Sequence, residues 1–198
     1  MGLNKRKLKG LIECLDERNF DGELSASNVI GVSTNKTLIP TKANLDGVNL
    51  LPYKILAPGS FAFVADTSRR GDKMALAFND SVETYIVSTW YVIFRVSEDA
   101  RGELLPKWLF LYFNRPEFDR FARLNSWGSA REYFWFSDME DIEIELPPIE
   151  VQRKYVAIYE AMLTNQRAYE KGLDDLKLTC DALLDRCKES STWEPVGK

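Results

Sequence analysis

The chain has 198 residues, a net charge of −4 and no histidine, and its three cysteines form no C-x-x-C pair. That length suits one domain plus an appendage, and without imidazole the commonest general base and the Ser-His and Cys-His nucleophile pairs are gone. The thiols leave a zinc site short of ligands, the acidic balance argues against a general nucleic-acid glue, and no apolar run approaches the ~20 residues that span a bilayer. The basic start (Lys5, Arg6, Lys7, Lys9) has no apolar segment behind it, so a cytoplasmic protein without metal or cofactor is expected.

Leu8 to Leu15 reads as a short helix, ended by the polar stretch Asp16 to Asp21. Val29 to Val32 is a short strand, followed by the polar loop Ser33 to Thr37. Tyr53 to Ala57 and Phe61 to Ala65, separated by a Pro58-Gly59 turn, have the form of a β-hairpin. Met74 to Phe78 alternates weakly, and Tyr85 to Val96, β-branched and aromatic throughout, is the best strand candidate. After the Arg101-Gly102 turn, Leu105 to Asn114 and Pro116 to Leu124 predict two short helices, the second with proline at its first position. Ile142, Ile144 and Leu146 alternate with Glu143 and Glu145, a strand with one wet face. Pro147-Pro148 then opens a helix running to about Lys188, and residues 190–198 read as a frayed tail. The expectation is an α+β (mixed) class, with a globular α/β domain over 1–146 and a long coiled-coil helix over 147–189.

That helix carries a heptad seam. Tyr155, Tyr159, Met162, Gln166, Tyr169, Leu173, Leu176, Cys180, Leu183 and Cys187 follow alternating steps of four and three, the spacing that wraps a facing helix. Off the seam, positions 170–190 are largely charged or small, so the apolar stripe is narrow. Gln166 is a polar seam position of the kind that sets register or partner, and Cys180 and Cys187 read as small seam fillers rather than redox groups. The bland alternative is a helix folded back on its own domain. Two copies paired antiparallel would instead set identical heads at the ends of a rod of ~60 Å. Such a homodimer suits a palindromic DNA site with half-sites ~34–36 Å apart.

Regional charge differs from the total. Residues 36–73 and residues 101–131 each hold six Lys/Arg against three acids, whereas 132–150 hold seven acids and no base. One reading is ordinary solvated loops; the sharper one is a basic face beside an acidic shoulder. Thr67 to Lys73 places Arg69, Arg70 and Lys73 around a glycine turn, where guanidinium forks suit guanine edges or phosphates and the alternative is a polar hairpin tip. Asn125 to Arg131, with Ser129 and Arg131, forms a second such loop, preceded by Arg115, Arg120 and Arg123. Trp127 there could stack on a base, but packing on Phe134 and Trp135 in the core is the favoured expectation. Lys36, Thr37 and Lys42 make a third, weaker set. Phosphate-loop, nucleophile-elbow and glycine-rich nucleotide motifs are missing. Asp138, Glu140, Asp141, Glu143 and Glu145 could hold Mg²⁺ in a nuclease, but on a strand Glu143 and Glu145 share one face that reads as solvated.

The ordered segments Trp127-Gly128-Ser129-Ala130-Arg131, Phe136 to Ile144 and Leu146-Pro147-Pro148-Ile149-Glu150-Val151-Gln152-Arg153-Lys154 strongly resemble the end of a target-recognition domain in specificity subunits of type I restriction-modification systems. Asn35-Lys36, Tyr53-Lys54-Ile55 with Pro58-Gly59, the Arg69 to Lys73 turn, Val87-Ser88 and Pro116-Glu117-Phe118 are also similar to that family, so the resemblance covers roughly residues 8–188. It implies a non-catalytic subunit that holds methyltransferase subunits, and in the full complex restriction subunits, on bipartite double-stranded DNA. Most members carry two recognition domains and two spacer helices, and this chain has one of each. It therefore resembles a half-subunit, acting as a homodimer or pairing, as an interaction module or fragment, with a full-length relative.

Overall fold

The computed structural model describes residues 4–68 and 73–190, and the chain divides into two compact units, Met1–Lys154 and Tyr155–Lys198. The elements in chain order are β1 (Asn4–Lys7), β2 (Ile12–Leu15), β3 (Ile30–Val32), β4 (Leu38–Pro40), β5 (Lys54–Leu56), β6 (Ser60–Val64) and β7 (Leu76–Phe78). They continue with β8 (Tyr85–Val87), β9 (Tyr91–Val96), α1 (Pro106–Phe113), α2 (Pro116–Leu124), α3 (Phe136–Glu140), β10 (Glu143–Leu146) and α4 (Ile149–Ser190). The class is α+β. No described helix is long and apolar enough to cross a membrane.

The first unit is built on a four-stranded antiparallel sheet in the order β2-β9-β6-β7. Its central strand β6 is buried throughout, and the period of two sorts its side chains. Phe61 and Phe63 face the main core with Phe94, Val96, Leu109, Phe113 and Phe118, while Ala62 and Val64 face a second cluster with Leu56, Val87 and Ile93. Phe61 stacks on Phe94 with centroids 4.7 Å apart; Phe113 meets Phe61 edge-on at 5.9 Å and packs on Phe118 at 4.7 Å, which ties α1 to the sheet and α2 to α1. Prolines at the first turn of α1 and α2 start both helices where an amide would otherwise lack a partner.

The structure corrects several of these expectations. Leu8 to Leu15 is not a helix: Leu11 and Ile12 both donate to the Leu8 carbonyl in a single turn, Gly10 has φ +81°, and the chain leaves as β2. The Pro58-Gly59 turn exists, with Gly59 at φ +78°, but it joins no hairpin. Strand β5 pairs with β8, whereas β6 pairs with β7 and β9. The run Tyr85 to Val96 is two strands, because Tyr91 N–H closes a turn on the Ser88 carbonyl. Strands β1 and β4 and helix α3 are not foreshadowed by the local sequence pattern. Strand β1 explains the acidic run: it pairs antiparallel with β10 and sets Lys5 opposite Glu145 and Lys7 opposite Glu143.

The first turn of α4 is fastened by one side chain. Gln152 is fully buried; its Oε1 accepts the Leu105 N–H at 2.9 Å, and its Nε2 donates to the Glu103 and Pro147 carbonyls at 2.7 and 2.8 Å. Leu146 and Gln152 are thus buried in this unit at either end of the Pro147-Pro148 entry to the helix. In the second unit the helix continues through 42 residues in all, about 60 Å by its rise, and no side chain from Tyr155 to Arg186 is buried.

Replacing Gln152 by leucine leaves one N–H and two carbonyls unpaired in the interior, so a stability loss of about 2–4 kcal/mol is expected in urea denaturation. Gln152→Glu should be no better, since a carboxylate oxygen would face two carbonyls. A loss below about 1 kcal/mol for the leucine variant would remove Gln152 as the anchor.

Candidate nucleic-acid interface

Lys36 closes the tight loop between β3 and β4. Its N–H donates to the Ser33 carbonyl at 3.1 Å, Ser33 N–H donates to the Thr37 carbonyl at 3.0 Å, and the Ser33 and Thr37 hydroxyls share a 2.7 Å bond. This position takes φ +60°, which glycine or asparagine would adopt more readily. The reason for a lysine lies in its side chain. Its Nζ donates to Asp119 Oδ1 at 2.5 Å and to the Met74 carbonyl at 3.3 Å, and it lies 5.4 Å from the Phe118 ring centroid. Asp119 also accepts the Met74 N–H at 3.1 Å. Burial lowers the Lys36 pKa, the Asp119 carboxylate opposes that shift, and the nearby Lys73 charge adds to it. One buried ion pair thus joins the loop, the approach to β7 and the face of α2.

The end of α2 is closed by its own side chains. Asn125 Nδ2 donates to the Phe121 carbonyl at 2.9 Å and Ser126 Oγ to the Ala122 carbonyl at 2.6 Å. Trp127 and Tyr133 then exchange both backbone hydrogen bonds, at 3.1 and 3.0 Å, pinching off the loop that holds Ser129 and Arg131. Within it Gly128 has φ +148°, and a Cβ there would lie 1.8 Å from the Arg131 carbonyl oxygen, so only glycine fits. Thr67 ties this loop to the base of the next one, since its N–H and hydroxyl donate to the Glu132 carbonyl at 3.0 and 3.1 Å. Phe134 N–H likewise donates to the Ala65 carbonyl at 2.9 Å.

These connections set the β3–β4 loop, Lys73 and α2 around one groove of about 700 Å³. It is lined by Thr34, Asn35, Lys36, Lys73, Asn114, Pro116, Asp119, Arg120, Arg123 and Leu124. Of the residues expected at a nucleic acid, Lys73 is exposed in the groove and Lys36 is buried in its wall as a support. Thr37 is exposed but shares its hydroxyl with Ser33. Arg115 is exposed next to the groove residues Asn114 and Pro116, with its guanidinium 4.0 Å from the Tyr112 centroid. Ser129 and Arg131 are exposed on the neighbouring loop, outside the groove lining. Arg69 and Arg70 lie outside the described residues.

Arg120 and Arg123 stand out in the sequence only as cations preceding the second loop. The signal that groups them is helical: positions 116, 119, 120, 123 and 124 share one face of α2. Each has a carboxylate partner, Glu117 for Arg120 and Glu132 for Arg123. Exposed pairs of this kind contribute about 0–1 kcal/mol, so either guanidinium can exchange its carboxylate for a phosphate. Trp127 does not pack in the core as expected. It is exposed, while Trp135 stacks on Tyr133 at 5.0 Å and Phe134 fills the interior without it. The acid cluster is engaged locally: Asp138 accepts the Trp135 N–H at 2.7 Å, and Asp141 pairs with Lys7 at 2.9 Å. No group of His, Cys, Asp and Glu among the described residues is arranged to hold a metal.

Lys36→Met would strand the Asp119 carboxylate, which is 12% exposed, and a loss of about 3–5 kcal/mol is expected from denaturant unfolding. Adding Asp119→Leu should recover much of it. If the single variant unfolds like the wild type, the pair does not brace the groove.

No protein-family model and no curated protein sequence matches the chain. Among solved structures, the HsdS subunit from Thermoanaerobacter tengcongensis superposes with a TM-score of 0.61 at 18% identity, over 98% of this chain and 50% of that one. A chain from a structure described as the structural basis of complex assembly and conformational transition of the type I R-M system aligns at TM-score 0.47 and 15% identity, over 94% of this chain and 44% of that one. The chain spans about half the length of that HsdS subunit, and its fold is the one seen there.

Proposed function

We propose that this chain is a DNA sequence-recognition subunit of a type I restriction-modification complex, non-catalytic itself and working in the cytoplasm. It directs methyltransferase and restriction subunits to a bipartite, palindromic duplex site. The observation that carries the reading is the groove: separate stretches of sequence, each picked out for polar and cationic character, converge on one face of α2 in a fold shared with an HsdS subunit. Arg69, Arg70, Lys73, Ser129 and Arg131 approach the duplex, with Arg115, Arg120 and Arg123 along the phosphates and Lys36 and Thr37 holding the loop behind them. Most such contacts position rather than specify. The seam from Tyr155 to Cys187 pairs two copies, giving the two-fold axis that a palindrome requires.

Selection from a random duplex pool, with and without a methyltransferase subunit, tests this directly and reveals the target. Arg69→Ala with Arg70→Ala should then weaken binding to the selected site. If both touch phosphates, the slope of log affinity against log salt falls by roughly two. If they read guanine, discrimination at those base pairs falls by about 1–3 kcal/mol each. Unchanged affinity at moderate salt removes the loop from the interface.

Leu173→Asp with Leu176→Asp should turn a sedimenting dimer into a monomer, and a wild-type chain monomeric at micromolar concentration overturns homodimerisation. The half-length match favours one other reading, a coiled-coil module that pairs with a full-length specificity subunit. It predicts hetero-association through the same seam and no selective retention of any duplex.

A further inference from the structure

Two large exposed apolar side chains stand out at the end of α2 and just beyond it. Leu124, the last residue of α2, is 81% exposed, and Trp127, three residues on, is 71% exposed. A single exposed apolar residue is ordinary. These two are close in sequence, Leu124 lines the groove beside Arg120 and Arg123, and the backbone carrying the indole is locked. Trp127 is fixed through both its N–H and its carbonyl, the residues before it are capped onto α2, and the glycine after it tolerates no side chain. A backbone held this way presents the ring without the ordering cost that a loose loop would carry.

We propose that Trp127, backed by Leu124, is an apolar wedge that enters one base step of the duplex lying along the α2 groove and unstacks it. This rests on the DNA-reading function proposed above and adds a specificity-determining side chain to it. Apolar side chains inserted between base steps, with cations neutralising the flanking phosphates, are a recurrent device of proteins that deform DNA. An indole stacks on any base, and the sequence preference arises because pyrimidine–purine steps open more cheaply than others. The neighbours choose DNA over a protein partner. Protein interface cores are depleted in charge, whereas Leu124 lines the groove with Arg120 and Arg123, and Trp127 opens the loop that carries Arg131.

The test uses the full chain and the duplex that it selects from the random pool, with 2-aminopurine placed at each position in turn. Wild-type protein should raise fluorescence at one step. Trp127→Ala should abolish that rise and weaken binding about ten- to hundredfold, with the salt slope unchanged, and Trp127→Phe should retain most of both. Arg131→Ala is the contrast: it should reduce the salt slope and keep the fluorescence step. If Trp127→Ala binds with the wild-type affinity and fluorescence map while Arg131→Ala behaves as stated, the wedge alone is wrong. If Trp127→Ala keeps its DNA binding but no longer co-purifies with the methyltransferase subunit, the surface belongs to a protein and the wedge is again overturned. If the wild-type chain, alone and with that subunit, enriches no duplex, the DNA-reading function and the wedge fall together.

Discussion

Three backbone groups from two segments meet on the side-chain amide of Gln152. The Glu103 carbonyl and the Leu105 N–H lie just before α1, and the Pro147 carbonyl just after β10. A glutamine amide can satisfy all three because it carries an acceptor and two donors on one rigid plane. No apolar residue could fill that position without leaving buried groups unpaired, and no charged one could match donors and acceptors together. The amide therefore fixes where α1 begins relative to β10. Through Phe113 packed on Phe118 it also bears on α2, the wall of the groove. Gln152 is visible in the sequence only as part of a motif resemblance; its reason is a hydrogen-bond count that needs the fold.

Charge in this chain is mostly spent locally. The acidic run that looks like a shoulder or a metal site is matched by the basic strand β1, by a cap on Trp135 and by Arg123. Lys36, an expected ligand-facing cation, is instead a buried brace, and the positive φ it adopts is the strain accepted to reach Asp119. Among the described residues at the groove and its neighbouring loop, the exposed Lys73, Arg115 and Arg131 and the weakly held Arg120 and Arg123 remain for a polyanion. On a chain of net charge −4, and under the proposed function, such a face suits a selective reader better than a sliding, non-specific binder.

The α2, β10 and α4 segments were legible because each carries one strong periodicity with proline at a boundary. Errors came where local pattern and tertiary pairing part company. Leu8, Leu11 and Ile12 have helical spacing because one turn puts all three into the core, and nothing local says that the turn stops there. Strand β1 is Asn-Lys-Arg-Lys, poor strand residues that extend because the wet strand β10 offers carboxylates opposite. The hairpin expected around Pro58-Gly59 failed because a turn sets the direction of the chain, not the partner of the next strand. At the interface the cation-bearing loops were legible and their convergence was not, since Lys36 meets Asp119 across 83 residues.

The second unit has little to pack against within its own chain. A lone helix draws most of its stability from packing its apolar stripe, and from Tyr155 to Arg186 this one packs no side chain into an interior. Gln166 is already satisfied within the helix, donating to Glu170 at 2.9 Å, so the demand for a partner comes from the tyrosines and leucines rather than from a stranded amide. Under the proposed function that demand and the small cationic face answer each other. Linking two readers makes the second contact intramolecular, and avidity of about 10²–10⁴ follows without any new contact to DNA. A head that binds loosely by itself rejects single half-sites, so the spacing between half-sites becomes part of what is recognised. Strengthening the groove with further lysines would erode that discrimination, because one head would then suffice to hold the wrong site.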